Sequence, residues 1–571
     1  MNDQVAAAPV VIDPQKERRR LQTAQASAPA IGFSKPSRLT LALLVMLFAG
    51  VRFWKLTAYG LFSDEVFSAE TIHRSWSQMA RAVISDVVHP PLFYYLLKAW
   101  IVTSDALLWM KLFPVLFALL AIIPFVWLCR ELKLRPLTIN LALLLMAVNE
   151  YLINYAQELR MYSLLLLLVT TSMWLFAKMV NARQRARAVQ LALFATNLLL
   201  VYTHYYGWLI IVCELLFLIS RRRDRLLSFS LSVVALLAGF FPWAFAVMQA
   251  AYAKGGLGPN LKWNTRPTAT DFFQHYVTLN GPVYTSWRAY ATVFSTVIFF
   301  TPILMWAWRL RRKANGKRQK VKGKNGAFSR WLYGKISRPM NKPSPVGFAG
   351  DNLDLRFSAT GVNEIGEADG DVFLWLALLA FLPSVIAFAA SYLLAQSVWG
   401  SRFLIVAAPA YLLLVAIAAT RLQPRSLQRI TVTLIAASAM LSGALQLTHR
   451  DKINWQPLVE RLIQQQMNQS DSLRVYARQG VTGTTIQYYL DQANEQRLRV
   501  QYVDDYSEIN ETHFWIAFIR YRHDTGPLPL EIFAARGDRL GEAIEADAPG
   551  HQVIFIAVQR RADSESAASI R

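Results

Sequence analysis

Charge is scarce in this chain. Only 17% of its 571 residues are Asp, Glu, Lys or Arg, against about 25% in ordinary soluble domains. That shortfall argues against a soluble globular protein. Cysteine is scarcer still, with Cys129 and Cys213 alone. Both fall in or beside apolar runs, without metal-like spacing to His or to each other. A disulfide framework is therefore excluded, and the two read as small buried hydrophobes. No cleavable signal peptide is visible: "MNDQVAAAPVVIDPQKERRR" is polar and then basic, and the first apolar run, from near Leu39, reads as a retained anchor. There are no internal repeats.

Apolar residues are abundant, at 54% hydrophobic and 12% aromatic. Repeated runs approach the roughly 20 residues that cross hydrocarbon as a helix, so the chain reads as a polytopic α-helical membrane protein. Its net charge of +23 would suggest nucleic acid in a soluble protein. Here the basic residues gather in short loops, which is the positive-inside pattern, and no nucleic-acid partner is expected. The pattern places a tail of residues 1–38 in the cytoplasm and predicts about eleven spans within residues 39–447. Their apolar cores are Leu39–Trp54, Ala106–Leu128, Leu137–Ile153, Ser163–Val180, Leu191–Tyr202, Trp208–Ile219, Leu226–Val247, Tyr290–Trp308, Val372–Leu394, Phe403–Ala419 and Ile430–Leu447.

One segment needs a decision. "PPLFYYLLKAWIVTS", residues 90–104, is apolar but short for a span. Counting it as one would put "RRRDR" outside, against the rule, so it reads as an interfacial helix closing an outer loop of residues 57–105. Residues 309–371 form a cytoplasmic insert, basic and then Gly/Pro/Asn-rich, expected to be weakly ordered. From residue 448 the composition turns soluble, with strand-like and helix-like segments alternating. Residues 448–571 thus read as a small periplasmic α/β domain.

The polar residues inside the membrane region fall on the outer side. Asp64 and Glu65 follow the first span, and a carboxylate in a partly apolar setting has altered basicity, which suits a general base. "DVVHPPLFYY" adds Asp86, His89 and Tyr94, "NYAQELRMYS" adds Glu158, Arg160 and Tyr162, "VYTHYYGW" adds His204, and "SVWGSRFL" adds Arg402. Arg52 and Lys111 lie in outer parts of spans, where the loop-charge rule does not call for them. Taken singly, these are loop acids, turn residues, aromatic-belt neighbours or snorkelling arginines. Taken together, they put carboxylates suited to proton removal beside guanidinium groups suited to phosphate.

At this point the chain resembles the integral-membrane glycosyltransferases of the GT-C superfamily. It is most similar to the dolichyl-phosphate-mannose protein mannosyltransferases of glycosyltransferase family 39, in their bacterial forms, and to the aminoarabinose transferases. The resemblance is carried by "SDE", "HPPLFYYLL", "WMKLFPVLFALL", "QELRMYSLL" and "SRFLIVAAPAYLLL" and covers about Leu39–Leu447. Lys111 stands where relatives often have Arg, and neither the C-terminal domain nor the 309–371 insert carries a family motif. The resemblance implies an inverting enzyme of the bacterial inner membrane that moves a sugar from a polyprenyl-phosphate donor to an acceptor hydroxyl on a glycan, lipid or protein.

It implies further that Asp64 is the base, helped by Glu65. Arg160, Arg402, Tyr162, His89 and Lys111 would meet the donor phosphate, and Glu158, His204, Asp86 and Tyr94 would line the site. Some superfamily members hold a divalent cation on an Asp-x-Asp pattern. The outer loops lack one, so no obligatory metal is expected, with an accessory cation left open. Two other functions stay open beside the transferase. One is a transporter or lipid flippase, though no related halves are visible. The other is an assembly scaffold, which would have no need of Asp64.

Overall fold

The computed structural model describes residues 38–560 apart from 183–185, 257–264, 282–287, 336–366, 449–452, 468–472, 479–480, 504, 522–528 and 549–550. The expected N-terminal tail and the second part of the cytoplasmic insert lie outside the described residues. The fold class is the expected one, a helical membrane protein carrying a small α/β domain.

Each expected span coincides with helix. They are α1 (Arg38–Phe53); α5 (Leu107–Leu120) continued by α6 (Ile122–Glu131); α7 (Pro136–Val148) with α8 (Glu150–Ala156); α9 (Tyr162–Asn181); α10 (Arg187–Thr203); α11 (Gly207–Arg221); α12 (Arg223–Ala253); α14 (Arg288–Lys335); α15 (Glu367–Leu393); a 3-10 turn (Ser401–Ala407) running into α16 (Ala408–Thr420); and α17 (Arg425–Thr448). Among the described residues seven helices are long and apolar enough to cross a membrane, or eight when α7 and α8, bent by 56°, count as one span. The other three, α1, α10 and α11, have 16, 17 and 15 residues, slightly under the roughly 20 that bridge hydrocarbon. The helix of α14 continues through the basic first part of the insert to Lys335.

The loop after α1 is itself helical: α2 (Ser63–His73), α3 (Trp76–Asp86) and α4 (Leu92–Trp100). With nine residues, α4 is too short to span. A further helix, α13 (Ala269–Leu279), precedes α14. The C-terminal domain begins with α18 (Trp455–Met467), followed by β1 (Leu473–Arg478), α19 (Val481–Gln492), β2 (Leu498–Val503), β3 (His513–Tyr521), α20 (Pro529–Ala535), β4 (Arg539–Leu540), β5 (Ile544–Ala548) and β6 (His551–Gln559). The strand order is β2-β1-β3-β6-β4, with β5 also on β6. Strands β1, β2 and β3 run parallel and β6 antiparallel to β3.

Buried polar groups fix how the helices meet. The fully buried Arg52 sends Nη1 to the Ala147 carbonyl and Nη2 to the Met146 carbonyl, each at 3.0 Å. Those carbonyls end α7, where the last turn has lost its helical donors, so a cation there satisfies both the hydrogen bonds and the dipole. Just beyond the break, Asn149 caps α8 by accepting from Leu152 N–H at 3.1 Å. Gln157 donates in turn to the carbonyls of Arg52 and Trp54 at 2.8 and 3.0 Å. Deeper in the bundle, Ser172 of α9 bonds Asn197 of α10 at 2.7 Å and lies 3.2 Å from Glu214 of α11, a polar contact that ties three helices together.

Replacing Arg52 by Leu leaves two buried carbonyls unpartnered, at about 1–3 kcal/mol. The purified variant is expected to unfold at a lower temperature than the parent in the same detergent, and an unchanged midpoint would show that Arg52 is not the cap.

Candidate active site

Asp64 and Glu65 open α2, where negative charge suits the positive end of a helix. Successive helical residues point about 100° apart, so the two carboxylates face different surroundings. Glu65 turns inward and is 1% exposed. One of its oxygens accepts the Phe62 N–H at 2.8 Å, and the other accepts the Leu159 N–H at 2.7 Å, with Lys111 Nζ 3.4 Å away. Glu65 thereby closes the start of α2 and pins the loop carrying Arg160. The expectation gave Glu65 a share in the base role and Lys111 a contact with phosphate, and the structure places the two beside each other. Each neutralises the other, and both are buried among structural bonds.

Asp64 turns the other way, its side chain about a quarter exposed, and pairs with Arg402 Nη1. Beneath it lies Arg160, 3% exposed, which gathers most of the expected residues. Its Nη1 donates to the Asp64 carbonyl and to Ser68 Oγ, each at 3.1 Å, and to Tyr94 Oη at 3.4 Å. Its Nη2 lies 3.2 Å from His89 Nε2, and His89 Nδ1 lies 3.1 Å from Asp86 Oδ2. Guanidinium only donates, so Nε2 must accept and the ring proton sits on Nδ1, directed at Asp86. The His204 ring stands 5.9 Å from His89 and 5.0 Å from Phe403, and its Nδ1 accepts the Tyr206 N–H at 3.1 Å. The Tyr162 ring packs 4.7 Å from Tyr155. Glu158, half-buried, lies by Tyr151, Tyr155 and Tyr162.

The electrostatics follow from this arrangement. Burial pushes the Asp64 carboxyl up, but Arg402 and Arg160 outweigh it and hold the group below its ordinary value, and so ionised. Burial, reinforced by Arg160, pushes His89 below the usual imidazole range despite Asp86, and burial does the same to His204. Both rings are thus neutral near pH 7. Three buried donors around this carboxylate have no partner among the described residues: Arg160 Nε, the Tyr162 hydroxyl and His204 Nε2. Native structures rarely leave such groups unpaired, and water, an ion or a bound polar group ordinarily meets them. Among the described residues no group of three or more His, Cys, Asp or Glu is placed to hold a metal ion.

Sequence reasoning missed Ser68 and Phe403. Ser68 stands one helical turn after Asp64, a spacing that could have revealed it. Phe403 packs against His89, His204 and Tyr206, and nothing in an apolar span distinguishes it from lipid-facing phenylalanines.

No family model matches the sequence, and no curated protein matches it. Solved structures do match. ArnT from Cupriavidus metallidurans in the apo state aligns at a TM-score of 0.50 and 12% identity, over 90% of this chain and 97% of that one. ArnT bound to undecaprenyl phosphate aligns at 0.46 and 13%, with the same coverage. The Archaeoglobus fulgidus oligosaccharyltransferase in the apo form aligns at 0.40 and 13%, over 82% of this chain and 65% of that one. At these identities the likeness is one of fold.

The opposed environments of the two acids separate their mutants. Glu65→Gln removes the negative member of a buried ion pair and is expected to cost about 3–5 kcal/mol, read as a large fall in unfolding temperature. Asp64→Asn, at a partly solvated pair, should move that temperature far less. Equal shifts would contradict this division.

Proposed function

We propose that this chain, which has the GT-C membrane fold, is a glycosyltransferase that moves a sugar from a polyprenyl-phosphate donor to an acceptor hydroxyl, with inversion. The observation that carries this reading is an ionised carboxylate set among two arginines and three unpartnered buried donors. A phosphoryl group needs several donors in a dry site, and a hydroxyl nucleophile needs a base beside them. The loop-charge alternation supports a site on the outer face of the membrane, with the α/β domain on the same side, and the family resemblance makes that membrane a bacterial inner membrane.

In this mechanism the donor phosphate engages Arg402 and Arg160, with Tyr162 and His204 completing its hydrogen bonds. Asp64 accepts the proton of the acceptor hydroxyl. The acceptor oxygen forms its bond to the anomeric carbon as the bond to the phosphate oxygen breaks, and the electron pair leaves on the lipid phosphate. The arginines stabilise the charge that builds there. Binding and basicity are coupled. In the empty site Arg402 holds Asp64 as a weak base. A phosphate that draws Arg402 away and adds its own negative charge raises the carboxyl pKa, so the base strengthens once the donor is present. His89, neutral and held by Asp86, orients Arg160 rather than carrying charge itself.

Two measurements test this. Asp64→Asn should lower transfer from a radiolabelled polyprenyl-phosphate sugar by about 10²–10⁴-fold while donor binding persists, and full turnover would remove Asp64 as the base. In Arg402→Gln the carboxylate loses its strongest counter-charge and burial dominates. The acid limb of the kcat/KM profile, which lies below the ordinary carboxyl range in the parent, should then move to higher pH. A limb that stays fixed or moves lower would separate Arg402 from the base.

A further inference from the structure

The C-terminal domain holds the segment that leads into the Asp64 helix. Two of its side chains donate to carbonyls there: Asn454 Nδ2 to Ala58 O at 3.3 Å and Tyr489 Oη to Leu61 O at 2.9 Å. Tyr489 lies on α19 and is 8% exposed, and α19 packs along α2. Phe62 packs against the domain's core of Trp455, Val459 and Leu490. Gly60 makes the approach feasible, since a Cβ there would stand 2.1 Å from the Tyr489 hydroxyl oxygen, so any larger residue must displace the ring. On its far side the same segment is tied by Glu65, which takes the N–H of Phe62 and of Leu159.

We infer that Tyr489 is a positioning residue of the reaction proposed above. Its hydrogen bond to the Leu61 carbonyl fixes the first turn of α2 and so sets the Asp64 carboxylate against Arg402. The inference rests on Asp64 being the base. It gives the α/β domain a task, because a domain on the far side of the junction supplies one of two ties on the backbone immediately before the reacting group. Small displacements of a reacting group cost large factors in rate, so a single well-placed hydrogen bond is enough to matter.

The test uses the full-length protein in lipid nanodiscs. Tyr489→Phe keeps the ring and removes only the donor. The expected result is a fall in kcat of about tenfold, with donor KM unchanged, and faster amide hydrogen exchange across residues 57–62. Unchanged exchange would overturn the hold, and faster exchange with parental kcat would overturn its catalytic consequence. A parent that transfers no sugar from any polyprenyl-phosphate donor would remove the transferase reading and that consequence together, while the exchange measurement would still decide whether Tyr489 holds the segment. A second comparison guards against a trivial packing effect. Gly60→Ala forces a Cβ onto the hydroxyl oxygen and should also lower kcat. Adding Tyr489→Phe removes the colliding oxygen, so the double variant should be no slower than Gly60→Ala, and fully additive losses would refute the contact.

Discussion

The buried guanidinium of Arg160 is the group on which the site depends. Placing an arginine where it is 3% exposed is costly unless its donors are met. Those on Nη1 and Nη2 are met by parts of the chain far apart in sequence: the Asp64 carbonyl and Ser68 on α2, Tyr94 on α4, and His89 from the turn between α3 and α4. Meeting them brings the two ends of the first loop together under the acid. Burial, reinforced by the same charge, pushes His89 below the usual imidazole range, and Arg402 together with that charge holds Asp64 below its ordinary value. A lysine, with one point charge in place of a planar fork, could not span these partners.

Cations near this end of the bundle divide into two kinds. Arg52 and Lys111 face inward and are consumed by structure, Arg52 by the broken end of α7 and Lys111 by Glu65. Arg160 and Arg402 flank Asp64. The division explains why paired acids occur at residues 64 and 65. One closes the start of a helix and ties down the Arg160 loop, and the other is about a quarter exposed beside Arg402.

Much of this was legible in the chain. Apolar run length marked where the long helices lie, since a helix in lipid must be apolar for most of its length. Asp64, Arg160, His89, Asp86, Tyr94, His204, Tyr162 and Arg402 were all picked out because ionisable or polar groups at membrane depth need a reason. Direction was not legible. That Glu65 and Lys111 stand 3.4 Å apart does not show in the sequence, which gives the presence of a charge and not which way it points. Ser68 and Phe403 were overlooked because a serine and a phenylalanine in a helix are unremarkable until a guanidinium or an imidazole is seen beside them.

The sequence by itself determined that this is a many-helix membrane protein with a small α/β region at its C-terminal end, because hydropathy and charge are summed over local segments. Only the tertiary structure decided which of two adjacent carboxylates is available, which cations are already paired, and that Tyr489, more than four hundred residues from Leu61, reaches its carbonyl. Those outcomes depend on side-chain direction and on contacts between distant segments, and neither is encoded in any short stretch of the chain.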